Sequence, residues 1–547
     1  MMDETTTSSL LERVSRVTED HFLVAALTYG SRVAGYARKD SLYDCIAVCD
    51  YAGGTRYYHE RLDDKGLAIL EIDNELFQLD VKKGALGEFI AGRMLFPYLA
   101  LKGTEYLTEK EIELKERVVK EETEDLIRQY GEASRGVVIN PEYFALSHML
   151  RRSRTYPPLR YSYLNTFCRN LRQRNMSRVM PGYLKAIDRL VNQTILDESS
   201  EGIIVRDEFI DRVLSRKTKD TVINVAEVSK RALYSYLMHG RAGFVSPELI
   251  SRELASKVRR ELLLTSLSLH VENPAVHLSL RTAKGLVPLD ERGTIKDIIM
   301  KIRPNSKIVI RPLGGVLNEV YLVSANGDKL VVKVFTDWHG FKWFTLNLVT
   351  LGTKVFSVSG KARLSNEFGM SHLLRRSGIQ TPEILYVSLP NKMLVERYIE
   401  GCTLVETVRQ VVRNEACPER FYDDIVEVGQ IIAKIHSHGV QIGDSKPENF
   451  LKGPTGSIHI IDLEQARKGG DFAWDIAEFL YYSAHYAAAQ VPGIRRLAEA
   501  FIEGYVGEGD PVCLRKAAGL SYLKVFSFWA LPQVNYSIPD ILRKASQ

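Results

Sequence analysis

The chain has 547 residues, with 73 Lys and Arg against 68 Asp and Glu, a net charge of +5 and 45% apolar residues. That length is too great for one core and those fractions are ordinary for folded protein, so a disordered or fibrous chain is excluded and about three domains are expected. A charge so near balance confines any nucleic-acid footprint to a local patch.

The opening stretch MMDETTTSSLLERV is acidic and lacks an apolar signal core, and no run approaches about 18 continuous apolar residues, so the expectation is a cytoplasmic chain with no membrane partner. Six cysteines (Cys45, Cys49, Cys168, Cys402, Cys417, Cys513) contain no C-x-x-C pair, which speaks against a zinc site or a disulfide framework.

The segment LVAALTYGSRVAGYARKDSLYDCIAVCDY reads as strand, a turn at Gly30 and Ser31, helix, and a strand from about Tyr43. LEIDNELFQLDVKK reads as a further strand, bearing Asp80. This order resembles the palm of nucleotidyltransferases of the DNA-polymerase-β superfamily. There, Gly-Ser opens a helix that cradles triphosphate, and three strand carboxylates hold two magnesium ions. The first carboxylate position falls on Leu42, which leaves Asp44 and Asp80. Asp40 would face the same side of an extended strand but lie about 6–7 Å away. A two-metal mechanism loses its central clamp, so the expectation is a degenerate site that binds nucleotide or RNA, or a scaffold only.

From Glu105 to about His270 the pattern is helical and charged. Residues 151–189 stand out: Arg151, Arg152, Arg154, Arg160, Arg169, Arg172, Arg174, Arg178, Arg189 and Lys185 oppose only Asp188, with Tyr156, Tyr161, Tyr163, Phe167 and Tyr183 interleaved. Guanidinium groups pair with phosphate and aromatic rings stack on bases, so Arg151, Arg152, Arg154 and Arg160 are candidate RNA contacts. A helical bundle with tyrosines in its core and arginines paired to acids of residues 121–132 fits equally well. Pro274, Gly285, Pro288 and Gly293 then interrupt regular structure and mark a linker, followed by the short helix IKDIIMKI capping the next domain.

SKIVIRPLGGVLNEVYLV is a strand, a bend at Gly314 and Gly315, and a strand; SANGDKLVVKVF is a hairpin leading to Lys333. After an insertion at 337–361, RLSNEFGMSHLLRRSG sets Glu367 at a helix start, and KMLVERYIEG gives a strand and hinge with Glu396 to Tyr398. IVEVGQIIAKIHSHG is a helix ending on glycine, the loop 441–449 carries Asp444, Lys446 and Asn449, and SIHIID closes a hairpin at Asp462. A strand lysine steadied by a helical carboxylate grips nucleotide phosphates, one Asp orients an attacking hydroxyl, and an Asn with a second Asp supplies hard oxygens to Mg²⁺. Singly these are a turn, a solvated lysine and a surface glutamate; in this order they indicate phosphotransfer.

Residues from about Ile308 onward resemble the atypical kinases of the RIO type and the small archaeal kinase associated with the threonylcarbamoyl-tRNA modification complex. The insertion resembles a segment of archaeal RIO-like proteins. The resemblance implies ATP and Mg²⁺ as cofactors, Gly314, Gly315, Lys333, Glu367, Glu396 and Tyr398 as the nucleotide site, Asp444 and Lys446 as the catalytic pair, and Asn449 and Asp462 as metal ligands. Three positions depart from it. Ile442 stands where the catalytic loop usually has His, Leu463 and Glu464 replace Phe-Gly, and the run to Asp471 and Asp475 leaves no room for a long activation segment. Lys446 is the residue that Ser/Thr kinases place against the γ-phosphate.

The expected architecture is α+β and multidomain: a nucleotidyltransferase-like palm at 1–105, a locally Arg-rich helical domain at 106–272, a linker and capping segment at 273–305, and a bilobal protein-kinase-like domain at 306–547. The expected function is an ATP- and Mg²⁺-dependent RIO-like Ser/Thr kinase. The alternatives are an RNA (tRNA) kinase acting on a ribose hydroxyl, and an RNA-associated ATPase switch or scaffold. The phosphoacceptor is accordingly protein or RNA.

Overall fold

The computed structural model describes residues 3–51, 53–155, 158–167, 170–216, 272–314, 318–337, 357, 359–414, 417–487, 490–526 and 532–545. They form a mixed α/β protein with several sheets. It divides into two units, Met1–Arg128 with Ile139–Leu278 and Gln129–Val138 with Ser279–Gln547.

In the first unit, α1 (Glu4–Val17) starts where the Asp3 carboxylate accepts the Thr6 amide at 2.8 Å. Its buried Leu10 and Val14 join Cys45, Ala47, Leu67 and Ile69 in one core. The sheet beneath comprises β1 (Phe22–Tyr29), β2 (Tyr43–Asp50), β3 (Thr55–Leu62), β4 (Lys65–Asp73) and β5 (Leu99–Lys102), in the order β3-β4-β2-β1-β5. β2 and β4 are parallel; the other pairs are antiparallel. A single helical turn, α2 (Ser31–Ala34), links β1 to β2. The expected long strand through Asp80 stops at Asp73, whose carboxylate accepts the Glu75 amide at 2.8 Å and starts α3 (Asn74–Lys83). Phe77, Asp80 and Val81 are its buried residues, a helical spacing rather than an alternating one.

The helical part holds α4 (Thr104–Tyr130), then β6 (Val137–Ile139), α5 (Glu142–Thr155), α6 (Pro158–Thr166) and α7 (Arg172–Asn192). The expected continuous helix is broken by a hairpin, β7 (Leu196–Ser199) and β8 (Gly202–Val205), before α8 (Asp207–Ser215). Residues 217–271 lie outside the described residues, as do Gly315, Tyr156, Cys168, Arg169 and most of the insertion at 337–361.

In the second unit the expected linker is ordered: a hairpin of β9 (Leu278–Thr282) and β10 (Gly285–Pro288), then α9 (Ile295–Ile302). Thr294 and Asp297 form a capping box, and Ile298, Ile299 and Ile302 enter a core with Val323, Leu330, Val332 and Val395. An antiparallel sheet follows, β11 (Ile308–Gly314), β12 (Glu319–Ala325), β13 (Asp328–Val334), β14 (Ile384–Ser388) and β15 (Met393–Arg397), ordered β11-β12-β13-β15-β14. α10 (Gly360–Arg376) lies between β13 and β14 in sequence.

The rest is a second core around α11 (Val405–Arg413), α12 (Glu419–Ser437), α13 (Phe472–Ser483) and α14 (Val491–Val506), with α15 (Pro511–Ala517), α16 (Leu520–Phe526) and α17 (Pro532–Ala545). Short strands frame the loops: β16 (Cys402–Thr403) with β18 (Phe450–Lys452) and β19 (Ile458–Ile460), and β17 (Val440–Gln441) with β20 (Arg467–Lys468). α12 and α14 cross at glycines. A Cβ on Gly504 would stand 1.9 Å from the Val426 carbonyl oxygen, and one on Gly429 would stand 2.2 Å from that of Phe501. Gly504→Ala is expected to force the helices apart and cost about 1–3 kcal/mol, read as a lowered urea midpoint; an unchanged midpoint would show the crossing to be soft.

Candidate functional site

Lys333 sits on β13 between Val320 of β12 and Leu394 of β15. Its Nζ is 2.8 Å from Oε1 of Glu367 on α10 and 3.3 Å from Oε2 of Glu396 on β15. All three side chains are buried. Burial opposes the Lys333 ammonium, but Glu367, then Glu396 and Asp462, outweigh it and hold its pKa well above the usual value. Burial raises that of Glu367 against the pull of Lys333, and the second carboxylate, Glu396, adds to the rise. Among the described residues, one oxygen of each glutamate has no hydrogen-bond partner, Oε2 of Glu367 and Oε1 of Glu396. The place of Glu396 opposite Val331 turns it inward to Lys333. Tyr398 is half-buried and donates its amide to the Lys329 carbonyl at 3.3 Å. Gly314 ends β11 at a bulge with φ +90°, a conformation that favours glycine.

The loop after α12 is held by its backbone. The Ile442 and Gly443 amides donate to the Asp475 carboxylate at 2.7 and 2.8 Å, and His436 Nε2 lies 3.0 Å from Asp475 Oδ2. Asp444 follows, with Lys446 Nζ 2.9 Å from its Oδ2. Burial works against the Lys446 ammonium, but Asp444 raises its pKa. Asn449 Nδ2 donates to the Asp444 carbonyl at 2.8 Å, and the Asn449 carbonyl accepts the Ile461 amide at 2.9 Å. This ties the loop to the residue before Asp462. Asp462 has φ +64°, rare for a residue with a Cβ and a sign of local strain at a constrained position. Burial and then Glu464 raise its carboxyl pKa, while Lys333 and Lys446 lower it and Asp444 raises it further. The field at Asp462 thus brings Lys333 together with the Asp444–Lys446 pair, more than a hundred residues away in sequence.

Sequence reasoning missed the supports of this group. Asp475 is wholly buried in an apolar helix, and an acid inside FAWDIAEFLYY is the signal that marks it. Glu478 accepts the Ser445 amide at 2.8 Å. Arg363 on α10 is fully buried, with Nη1 3.0 Å from Glu464 Oε2 and donating to Asn318 Oδ1 at 2.6 Å. Asn366 Nδ2 reaches the Glu464 carbonyl at 3.0 Å. Leu463–Asp471 passes directly into α13, and Asp471 accepts from Lys516 and Tyr522. Asp475→Ala is expected to leave the Ile442 and Gly443 amides buried without an acceptor and to lower stability by about 2–4 kcal/mol in urea titration. A loss below about 0.5 kcal/mol would mean that the loop is anchored elsewhere.

In the first unit, Asp44 lies on β2, and a Cβ on Gly30 would stand 2.9 Å from its Oδ2. Gly30 has φ +85° and Ser31 opens the four-residue α2. Leu42, 39% exposed, lies over Gly66 of β4. Asp40 is exposed in the turn before β2, not on a strand. Asp80 is no partner for Asp44 as a strand carboxylate: it is buried on α3 and accepts the amides of Leu86, Glu88, Ile90 and Ala91. Residues of β4 on the Asp44 side, Ala68 opposite it with Gly66 and Leu70, carry no acid.

The arginine-rich stretch divides. Arg151 pairs with Asp125 and with Glu122 at 2.7 Å, and Arg152 Nε lies 3.1 Å from Glu88 Oε2. Arg172 pairs with Glu142 and Glu272, and Arg189 with Glu109. Tyr163 and Tyr183 are core. Arg151 and Arg152 are thus half-buried in ion pairs, because α4 and the Glu88 loop present acids to α5. Arg154 and Arg160 are exposed. Around Glu88, His148 bridges two carboxylates, Glu88 at 3.0 Å and Glu122 at 3.1 Å, whose attraction overcomes burial and raises its pKa. Arg152→Glu is expected to cost about 3–5 kcal/mol, because it sets a like charge on buried Glu88. Arg154→Glu should stay within about 0.5 kcal/mol; equal effects in thermal unfolding would undo the distinction.

No protein-family model matches the chain and no curated protein matches it. Among the described residues, no helix is long and apolar enough to cross a membrane.

Proposed function

We propose that the second unit is an ATP- and Mg²⁺-dependent phosphotransferase of the RIO-like kinase type, acting on a protein hydroxyl. The observation that carries the reading is Asp462, which is strained, half-buried, and set in the combined field of Lys333 and the Asp444–Lys446 pair.

The donor set fits Mg²⁺. The Asn449 amide nitrogen is committed to the Asp444 carbonyl, which leaves its Oδ1 as an acceptor, and the Asn449 carbonyl ties it to Ile461, the residue before Asp462. When bound, such a cation supplies neutralisation of phosphate oxygens. The chain's own groups do the rest. Lys333 donates to nucleotide phosphates while Glu367 fixes the ammonium's direction. Asp444 accepts a hydrogen bond from the acceptor hydroxyl at a carboxylate oxygen and receives its proton. Lys446 adjoins Asp444 and donates toward the transferred group. The loop tie to Asp475 fixes Asp444 before substrate arrives, so positioning and electrostatics carry the rate.

A protein acceptor is favoured over RNA by the ion pairs that half-buried Arg151 and Arg152 make with acids of the chain itself, which weakens two of the four residues that supported the RNA alternative. For the first unit we propose a binding or scaffold role without nucleotidyl transfer, since the Asp44 side of β4 carries no acid.

With γ-labelled ATP, Mg²⁺, protein extract and total RNA, label is expected in protein. Asp444→Ala should lower transfer by about 10²-fold or more with ATP binding retained. Label in RNA would reverse the acceptor assignment, transfer surviving Asp444→Ala would remove the assigned base, and label only in free phosphate would make the unit an ATPase switch.

A further inference from the structure

The helix that carries Glu367 is gripped from behind by a segment that precedes it by more than two hundred residues. Residues 131–136 form a tight turn of helix, and the surrounding Gln129–Val138 belongs to the second unit although the sequence on either side belongs to the first. Ser365 Oγ accepts the Ala133 amide at 2.9 Å and donates to the Tyr130 carbonyl. Two glycines allow the approach. A Cβ on Gly369 would stand 2.2 Å from the Glu132 carbonyl oxygen, and one on Gly136 would stand 2.5 Å from the Phe368 ring. Backbone lies against backbone at Gly369, so no side chain is there to yield.

The helical period makes this contact informative. At about 100° per residue, Ser365, Phe368 and Gly369 share one face of α10, while Arg363 and Glu367 share the opposite one. The first face meets 131–136. The second holds Lys333 through Glu367 and Glu464 through Arg363. A shift of α10 away from 131–136 would move both of these pairs together.

We propose that residues 131–136 are a built-in positioning element for phosphotransfer, with Ser365 and Gly369 as its receptors, so that the Lys333–Glu367 pair depends on a segment supplied from within the amino-terminal half. This rests on the phosphotransfer reading given above. Neither Ser365 nor Gly369 touches the reacting groups; they act through Glu367.

The test uses the full chain. Ser365→Ala removes both hydrogen bonds, and Gly369→Ala pushes on the Glu132 carbonyl; Ser365→Ala is the milder variant should Gly369→Ala fold poorly. Each is expected to lower transfer by about tenfold or more. Amide exchange of residues 360–376 should quicken by about tenfold while α12 keeps its protection. ATP affinity should weaken in either variant, yet fall no further when either is added to Lys333→Met, because the clamp acts through that pair. Wild-type transfer in both variants, equal loss of affinity with and without Lys333, or unchanged exchange in α10 would overturn the proposal. Should the wild-type chain transfer no phosphate, the phosphotransfer reading fails, and the exchange comparison still decides whether 131–136 holds α10.

Discussion

One ammonium among buried carboxylates sets the constraints on the second unit. Lys333 faces Glu367 and Glu396, and Asp462 lies within its field. Burying an ion pair costs desolvation that mutual attraction only partly offsets, so the pair is weak evidence for stability. Its excess of negative charge is less easily explained as structural. A core selected for stability alone would neutralise Glu396 or replace it with an apolar side chain. The phosphotransfer site proposed above, which would accept a cation and a polyphosphate, has reason to keep acids with an oxygen that finds no partner among the described residues, as in Glu367 and Glu396. Burial is the first cause of the raised pKa of Asp462, and the neighbouring carboxylates of Glu464 and Asp444 add to it.

The surroundings keep that group in place by independent routes. Arg363 and Asn318 hold Glu464, two residues beyond Asp462. Asp475 holds the backbone just before Asp444, and the Asn449 carbonyl holds the residue just before Asp462. These bonds fall on main-chain amides or buried charges, whose alternatives inside a protein are costly. The consequence is a site fixed without a long segment after Asp462. Ile442, standing where a histidine was expected, has its side chain in the core and its amide on Asp475, so the missing ring leaves the loop anchored.

How far this was legible depends on the range of each contact. Lys333, Asp444, Asn449 and Asp462 sit in short motifs whose local form is dictated by neighbours, a hairpin strand, a loop after a glycine-ended helix and a strand end, so the residues could be picked out of the sequence. Arg363 and Glu464 are 101 residues apart, and Ser365 and Tyr130 are 235 apart; no local pattern announces either. Glu396 was placed on its strand, but its pairing with Lys333 was not legible, since a strand's alternation tells which face a residue takes, not what it meets there. Asp80 failed for a different reason. LEIDNELFQLDVKK is apolar enough for a strand, but Asp73 followed by Asn74 and Glu75 is a helix start, and the competition was decided by that cap.

In the first unit, the proposal of binding without nucleotidyl transfer rests on the phase of the acids along two paired strands. A two-metal centre needs carboxylates on adjacent strands pointing to one side, and the parallel pairing of β2 and β4 would deliver them if β4 offered an acid in phase with Asp44. Its acids are out of phase. Glu71 and Asp73 lie on the opposite side from Ala68, and Glu71 is occupied by His21 at 2.6 Å and Tyr58 at 2.9 Å. A carboxylate placed at Leu42, just before β2, would therefore still leave β4 without an acid in phase. The proposed absence of nucleotidyl transfer rests on the phase of β4 as much as on the leucine.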